Sequence, residues 1–131
     1  MRFLAYAWAL PTSLIGMAFG LAFMLVGGQA RVVQGALEVH GGVLGRLLAR
    51  SPPAIRFSAI TLGHVIIGIS DQELDHVRRH EHVHVRQCER WGPLFLPAYL
   101  LSSAWQMLCG RRAYRDNAFE KQAYDQERDA P

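Results

Sequence analysis

Three residues carry the clearest chemistry in this chain: His80, Glu81 and His84, in the run His80-Glu81-His82-Val83-His84. On a helix, positions i and i+4 share a face with Cβ atoms about 5–6 Å apart, so both imidazoles can reach one zinc ion at about 2.0–2.1 Å. Glu81 is then set beside the water that such a metal acidifies, where a carboxylate can act as general base during attack on a carbonyl. A tetrahedral site that keeps one position for water still needs a third protein ligand. Within Asp116 to Asp125, Glu120 falls in the first turn of an expected helix and is the candidate. Plainer readings compete: a solvated helix face on which histidines accompany arginines, and a surface glutamate of the kind favoured near a helix N-terminus.

The helix that must position the pair begins at Ser70. Ser70 and Glu73 form an S-x-x-E capping box, Asp71, Glu73 and Asp75 crowd the first turn, and the helix runs to Trp91, where Gly92-Pro93 ends it. Upstream, Ile55 to Thr61 and His64 to Ile69 are rich in β-branched residues and read as strands with a bend at Gly63. Val32 to Val39 reads as a hairpin turning at Gln34-Gly35, and Val43 to Arg50 as a helical turn. Downstream, a helix is expected from Pro97 to Cys109, ending at Gly110, and another from Asp116 as N-cap through Glu127.

A chain of 131 residues and 14.7 kDa holds one compact domain plus at most one membrane segment. Half of it is apolar and 19% charged, which excludes a disordered solvating chain. The net charge of +3 is too small and scattered for a nucleic-acid groove. From Phe3 to Ala30 no residue is charged, and this stretch is long enough to cross a hydrocarbon core of about 30 Å. Residues 1–30 therefore read as a transmembrane anchor and 31–131 as the domain. A cleaved signal, with Gly28-Gln29-Ala30 as a loose cleavage site, and a buried core helix are the alternatives.

Trp91 to Gly110 is a second uncharged run. If it crossed a bilayer, His84 and Glu120 would stand on opposite sides of about 30 Å of hydrocarbon and could share no metal. Gly92-Pro93 and Pro97 permit a reversal, so this run reads as a return helix with one face toward lipid and Trp91, Tyr99 and Trp105 as candidate interfacial anchors. In that hairpin Cys88 and Cys109 lie too far apart for a disulfide.

The pattern His80-Glu81-x-x-His84-x-x-Gln87, followed by Glu120-x-x-Ala123, resembles the gluzincin metallopeptidases, especially their small minimal-domain members. The resemblance covers about Ile55 to Glu127. It implies an α+β zincin-like domain, with a small sheet, the H-E-x-x-H helix and a glutamate-bearing helix. It also implies His80, His84 and Glu120 as ligands of Zn²⁺, Glu81 as general base, and peptide pairing along His64 to Ile69 by strand addition. The chain departs from the pattern in two places. The aspartate that many gluzincins place four residues after the ligand glutamate is here Tyr124, with Asp125 beside it. No motif fixes an oxyanion stabiliser, for which Tyr114, Tyr124 and His64 are candidates.

Of the other histidines, His76 shares the ligand face and suits either a supporting role or a solvated first turn. His82 is expected to be exposed, and His40 to satisfy a loop or core hydrogen bond. The leading expectation is a membrane-anchored zinc peptidase acting on a peptide or protein substrate. The alternatives are a catalytically inactive, metal-stabilised protein that binds membrane or peptide, and haem or copper ligation by the His76, His80, His84 stripe. Arg-rich flanks around the apolar hairpin suit an anionic leaflet, which points to a bacterial inner membrane with the domain on the cytoplasmic side.

Overall fold

The computed structural model describes residues 2–53 and 57–129. Its elements in chain order are helix α1 (Arg2–Leu25), strands β1 (Gly28–Val33) and β2 (Ala36–Gly41), helix α2 (Gly42–Ala49), strands β3 (Ala59–Leu62) and β4 (Val65–Gly68), and helices α3 (Asp71–Trp91), α4 (Phe95–Leu108) and α5 (Ala118–Asp129). The architecture is α+β around one mixed sheet of order β1-β2-β4-β3, in which β2 and β4 run parallel and the outer pairs antiparallel. The hairpin turn is Gln34-Gly35, both with positive φ (51° and 84°), the conformation that matches strand twist in two-residue loops. Of the strand expected over Ile55 to Thr61, residues 54–56 lie outside the described residues and the ladder starts at Ala59.

The sheet is the middle of three layers. β4 is apolar at each position with a side chain because both its faces are covered: Ile66 packs with Leu74 and Val85 of α3, while Val65 and Ile67 pack with Phe23 of α1 and Leu44 and Leu48 of α2. This position corrects one expectation. The segment preceding α3 is an interior strand with neighbours on both sides, so among the described residues the edge strand beside α3 is β3.

α1 is long and apolar enough to cross a membrane, yet it also belongs to the core. Its buried positions, Ala9, Thr12, Ser13, Gly16, Gly20 and Phe23, recur at helical spacing from one end to the other. Small residues let the helix approach closely: a Cβ on Gly16 would stand 2.7 Å from Leu62 O and from Val65 Cβ. Ser13 Oγ accepts the backbone N–H of His64 at 3.0 Å and donates to Ala9 O at 3.0 Å. The remaining perimeter is exposed and apolar, with Phe3, Leu14, Phe19 and Leu21 among the outward residues. β1 begins at Gly28, so the division expected at residue 30 falls inside a strand.

α3 forms where the capping box requires it: Ser70 Oγ accepts Glu73 N–H at 3.2 Å. It ends at Gly92, whose φ of +56° turns the chain through a 3₁₀ turn (Gly92–Leu94) into α4. With 14 residues, α4 is about 21 Å long and too short to span about 30 Å of hydrocarbon. Its inner side packs Phe95 against Ala9 and Cys88, while Leu100, Leu101, Trp105 and Leu108 stay exposed. Both cysteines are free. The N-cap of α5 is Asn117 rather than Asp116. Asn117 Oδ1 accepts Phe119 N–H at 2.9 Å, whereas Asp116 accepts the N–H of Arg112 and closes the preceding turn.

Candidate metal centre

His80 and His84 sit one helical turn apart on α3, and α5 lies across that face with Glu120 in its first turn. All three side chains are buried and their donor atoms converge. Nε2 of His80 and Nε2 of His84 are 3.2 Å apart; Glu120 places Oε2 2.9 Å from the first and Oε1 3.2 Å from the second. A tetrahedron with metal–ligand bonds of about 2.0–2.1 Å has edges of about 3.3–3.4 Å, so the triangle is close to the size of one face of such a site.

The outer partners of the imidazoles explain why these nitrogens face inward. Gln87 Oε1 lies 2.8 Å from His84 Nδ1, and the Gln87 amide is oriented by its own donation to Phe119 O at 3.0 Å and Gln122 Oε1 at 2.8 Å. His84 Nδ1 therefore donates to Gln87, which leaves Nε2 facing the cluster, where it offers its lone pair to a cation or, with no cation there, carries a proton toward Glu120. Glu127 Oε2 stands 3.4 Å from His80 Nδ1. Glu127 lies two turns of α5 beyond Glu120 and stands off His80 Nδ1 at ion-pair distance without a hydrogen bond, while Tyr124 packs its ring 4.4 Å from that of His80. Three lone-pair donors facing one another repel unless a proton or a cation sits among them. Burial alone raises the Glu120 carboxyl, but hydrogen bonds from His80, His84 and Tyr99 outweigh it and hold the group down at about 2. Burial likewise opposes charge on His84, and Glu120 overcomes this to raise it.

Glu81 is buried next to the pair, on the side of α3 that meets β3. Thr61 Oγ1 donates to its Oε2 at 2.7 Å. Burial pushes the Glu81 carboxyl up, offset in part by His84 and by the Thr61 hydroxyl. A cavity of about 220 Å³ opens beside the cluster, bounded by Glu81, His84 and Glu120 and by the apolar walls Ile60, Phe95 and Leu96. A second cleft of about 640 Å³ flanks the His80 side; Phe57, Ala59, Glu81 and Tyr114 border both. The two clefts meet on the β3 side of the cluster, at Ala59 and Glu81.

The structure thus brings His80, Glu81, His84 and Glu120 into one site. Tyr114 lines both clefts. His64 is elsewhere: its Nε2 meets Glu89 at 2.9 Å and its ring stacks on Tyr6 at 3.9 Å, which removes it from the oxyanion candidates. His82 is buried, not exposed, because its position on α3 faces the sheet, and that burial lowers its pKa. Tyr99 is turned inward as a donor to Glu120 Oε1 at 2.6 Å, not outward as an interfacial anchor. The bonds of Thr61 to Glu81 and of Tyr99 to Glu120 escaped the sequence reading because each is made across elements whose register no local pattern encodes.

A separate ion cluster braces α3 against the sheet. Glu38 of β2 is fully buried and bonds Arg31 at 3.0 Å and Arg78 at 2.8 and 3.0 Å, with Asp75 a further 2.7 Å from Arg78. No family model, curated protein or solved structure matches the chain.

Proposed function

We propose that this protein is a membrane-associated, zinc-dependent peptidase of the gluzincin type. The observation that carries the reading is the convergence of His80, His84 and Glu120 on one buried point, with Glu81 held by Thr61 in the adjoining cavity. The donor set, two imidazole nitrogens and one carboxylate, suits zinc and leaves a tetrahedral position open. When bound, zinc supplies Lewis acidity toward water or a carbonyl oxygen. Glu81 accepts the proton of the attacking water at its carboxylate and returns it to the leaving amine. Its burial raises proton affinity, in the direction a general base near neutrality needs. Tyr114, which lines both clefts, is the candidate donor to the developing oxyanion. The outer edge of β3, which pairs with β4 alone among the described residues, can receive an extended peptide as an added strand, whose alternate side chains enter the flanking clefts.

The test is elemental analysis of detergent-purified full-length protein, paired with hydrolysis of a quenched-fluorescent peptide library. Wild type binds about one zinc per chain, and His84→Ala and Glu120→Ala lose it. Glu81→Gln keeps the zinc and loses turnover by about 10²-fold or more. Zinc binding with no hydrolysis by wild type would overturn the peptidase and leave a metal-stabilised binding protein. No zinc in metal-replete wild type would overturn both.

A further inference from the structure

We infer that α1 lies in the plane of one membrane leaflet instead of crossing the bilayer, so that the protein is monotopic. The determining feature is the hairpin beside α1. Gly28 packs against the backbone of Phe23 near one end of the helix, and Tyr6 near the other end donates to Gly35 O at 2.6 Å. Between those points α1 advances about 25 Å and the strand about 23 Å in the opposite sense. β1 and its turn therefore run alongside about two-thirds of the helix, whose 24 residues measure about 36 Å.

β1 is also an edge strand, paired with β2 alone among the described residues. It exposes Gln29 and half-exposes Arg31, which serves the buried Glu38 cluster. A spanning α1 would carry this edge, with its unpaired backbone groups, to the depth of the acyl chains, where an open sheet edge has nothing to bond. Laid flat, α1 keeps the sheet on its aqueous side through Ala9, Thr12, Ser13, Gly16, Gly20 and Phe23, and turns Phe3, Leu14, Phe19 and Leu21 into lipid.

Charge identifies the occupant as a leaflet with anionic headgroups. The first 70 residues contain five arginines and one carboxylate, and that carboxylate, Glu38, is fully buried. Arg2 at the start of α1 and Arg46 and Arg50 around α2 are exposed, and α2 joins the C-terminal half of α1 through Leu44, Leu48 and Phe23. An uncharged apolar face rimmed by cations fits an anionic membrane surface.

The inference does not depend on catalysis, and its test reads topology alone. Full-length protein with Cys109→Ser and two added cysteines, Arg2→Cys and Gln29→Cys, is reconstituted into sealed vesicles of phosphatidylcholine and phosphatidylglycerol. It is then treated with a membrane-impermeant maleimide and weighed by mass spectrometry. The buried Cys88 stays unmodified in the folded chain. An in-plane helix gives chains with two labels or none, whichever leaflet they occupy. A spanning helix gives one label per chain, and that result overturns the inference. Flotation supplies a second readout: Leu14→Ser with Phe19→Ser, both on the outward face, weakens vesicle partition by about tenfold or more while circular dichroism is unchanged. Wild-type protein that stays in solution as a dimer and does not float would instead assign the face to a second copy.

Discussion

Gln87 accepts a hydrogen bond from Nδ1 of His84 at 2.8 Å and thereby directs the opposite nitrogen of the ring, Nε2, toward Glu120. The same amide donates to Phe119 O and Gln122 Oε1 on α5, so one side chain sets the tautomer of His84 and docks the helix that brings Glu120. Gln87→Met preserves length and removes all three bonds. It is expected to weaken zinc binding by about 10- to 100-fold, measured by competition with a chromophoric chelator.

Under the proposed mechanism, Thr61 offers a cleaner separation of metal binding from turnover. Thr61→Val keeps the shape of β3 but withdraws the hydroxyl that donates to Glu81. A hydrogen bond to a charged group is worth about 1.5–3 kcal/mol, so kcat should fall by about tenfold or more. Zinc content, measured on the same sample, should be unchanged.

The Glu38 cluster gives the fold a pH dependence of defined sign. Burial opposes the Glu38 carboxylate, but hydrogen bonds from Arg78 and Arg31 outweigh it and lower the pKa in the folded chain. A depressed carboxyl contributes stability that is complete above its ordinary range and is lost as pH falls through the folded value. Thermal melts of wild type should therefore weaken below about pH 4.5. Glu38→Gln should lower stability by about 3 kcal/mol at neutral pH, by stranding Arg78, and flatten the acid slope.

The two thiols should differ sharply. Cys88 is buried, and burial pushes it up to about 12 against a small opposing pull from the backbone of Gly63; Cys109 is exposed. Thiolate is the reactive form, so maleimide at pH 7.5 should modify one thiol per native chain and two in denaturant. Mass spectrometry reads the count directly.

Close packing of α1 predicts a steric lesion. Gly16→Val places a branched side chain where even a Cβ would meet Leu62 O at 2.7 Å. Neither the strand backbone nor the helix can yield freely, and a loss of about 1–3 kcal/mol is expected in thermal unfolding. Phe19→Ala, on the outward face, should leave the melting temperature in detergent nearly unchanged.

What could be read in advance was whatever a local pattern encodes. Ser70, Glu73 and Gly92 marked both ends of α3, and helical periodicity then placed His80 and His84 together. The fold-back of α4 followed from a constraint, since a shared metal forbids a membrane between His84 and Glu120. Contacts set by register stayed hidden. Glu38 and Arg78 meet only because β2 lies under α3. His82 is buried only because its side of that helix meets the sheet. β4 is interior because β3 returns outside it. Asn117 displaced Asp116 as the cap because Ser103 and the Tyr99 carbonyl hold its amide at 2.8 and 3.0 Å, a tertiary reason that no cap preference contains.

That last arrangement ties the third ligand to the amphiphile around the protein. Asn117 fastens the start of α5 to α4, Ser102 Oγ accepts Ala118 N–H at 3.0 Å, and the Tyr99 hydroxyl reaches Glu120 itself. The outer side of α4 presents Leu100, Leu101 and Trp105 with no protein over them among the described residues. For the membrane-associated protein proposed above, detergent micelle, nanodisc and vesicle would each press on that helix differently, and Glu120 would inherit the difference. On the proposed reading, occupancy of the site by metal becomes a property of the sample's amphiphile as well as of its buffer, and preparations in two detergents are expected to differ in metal content.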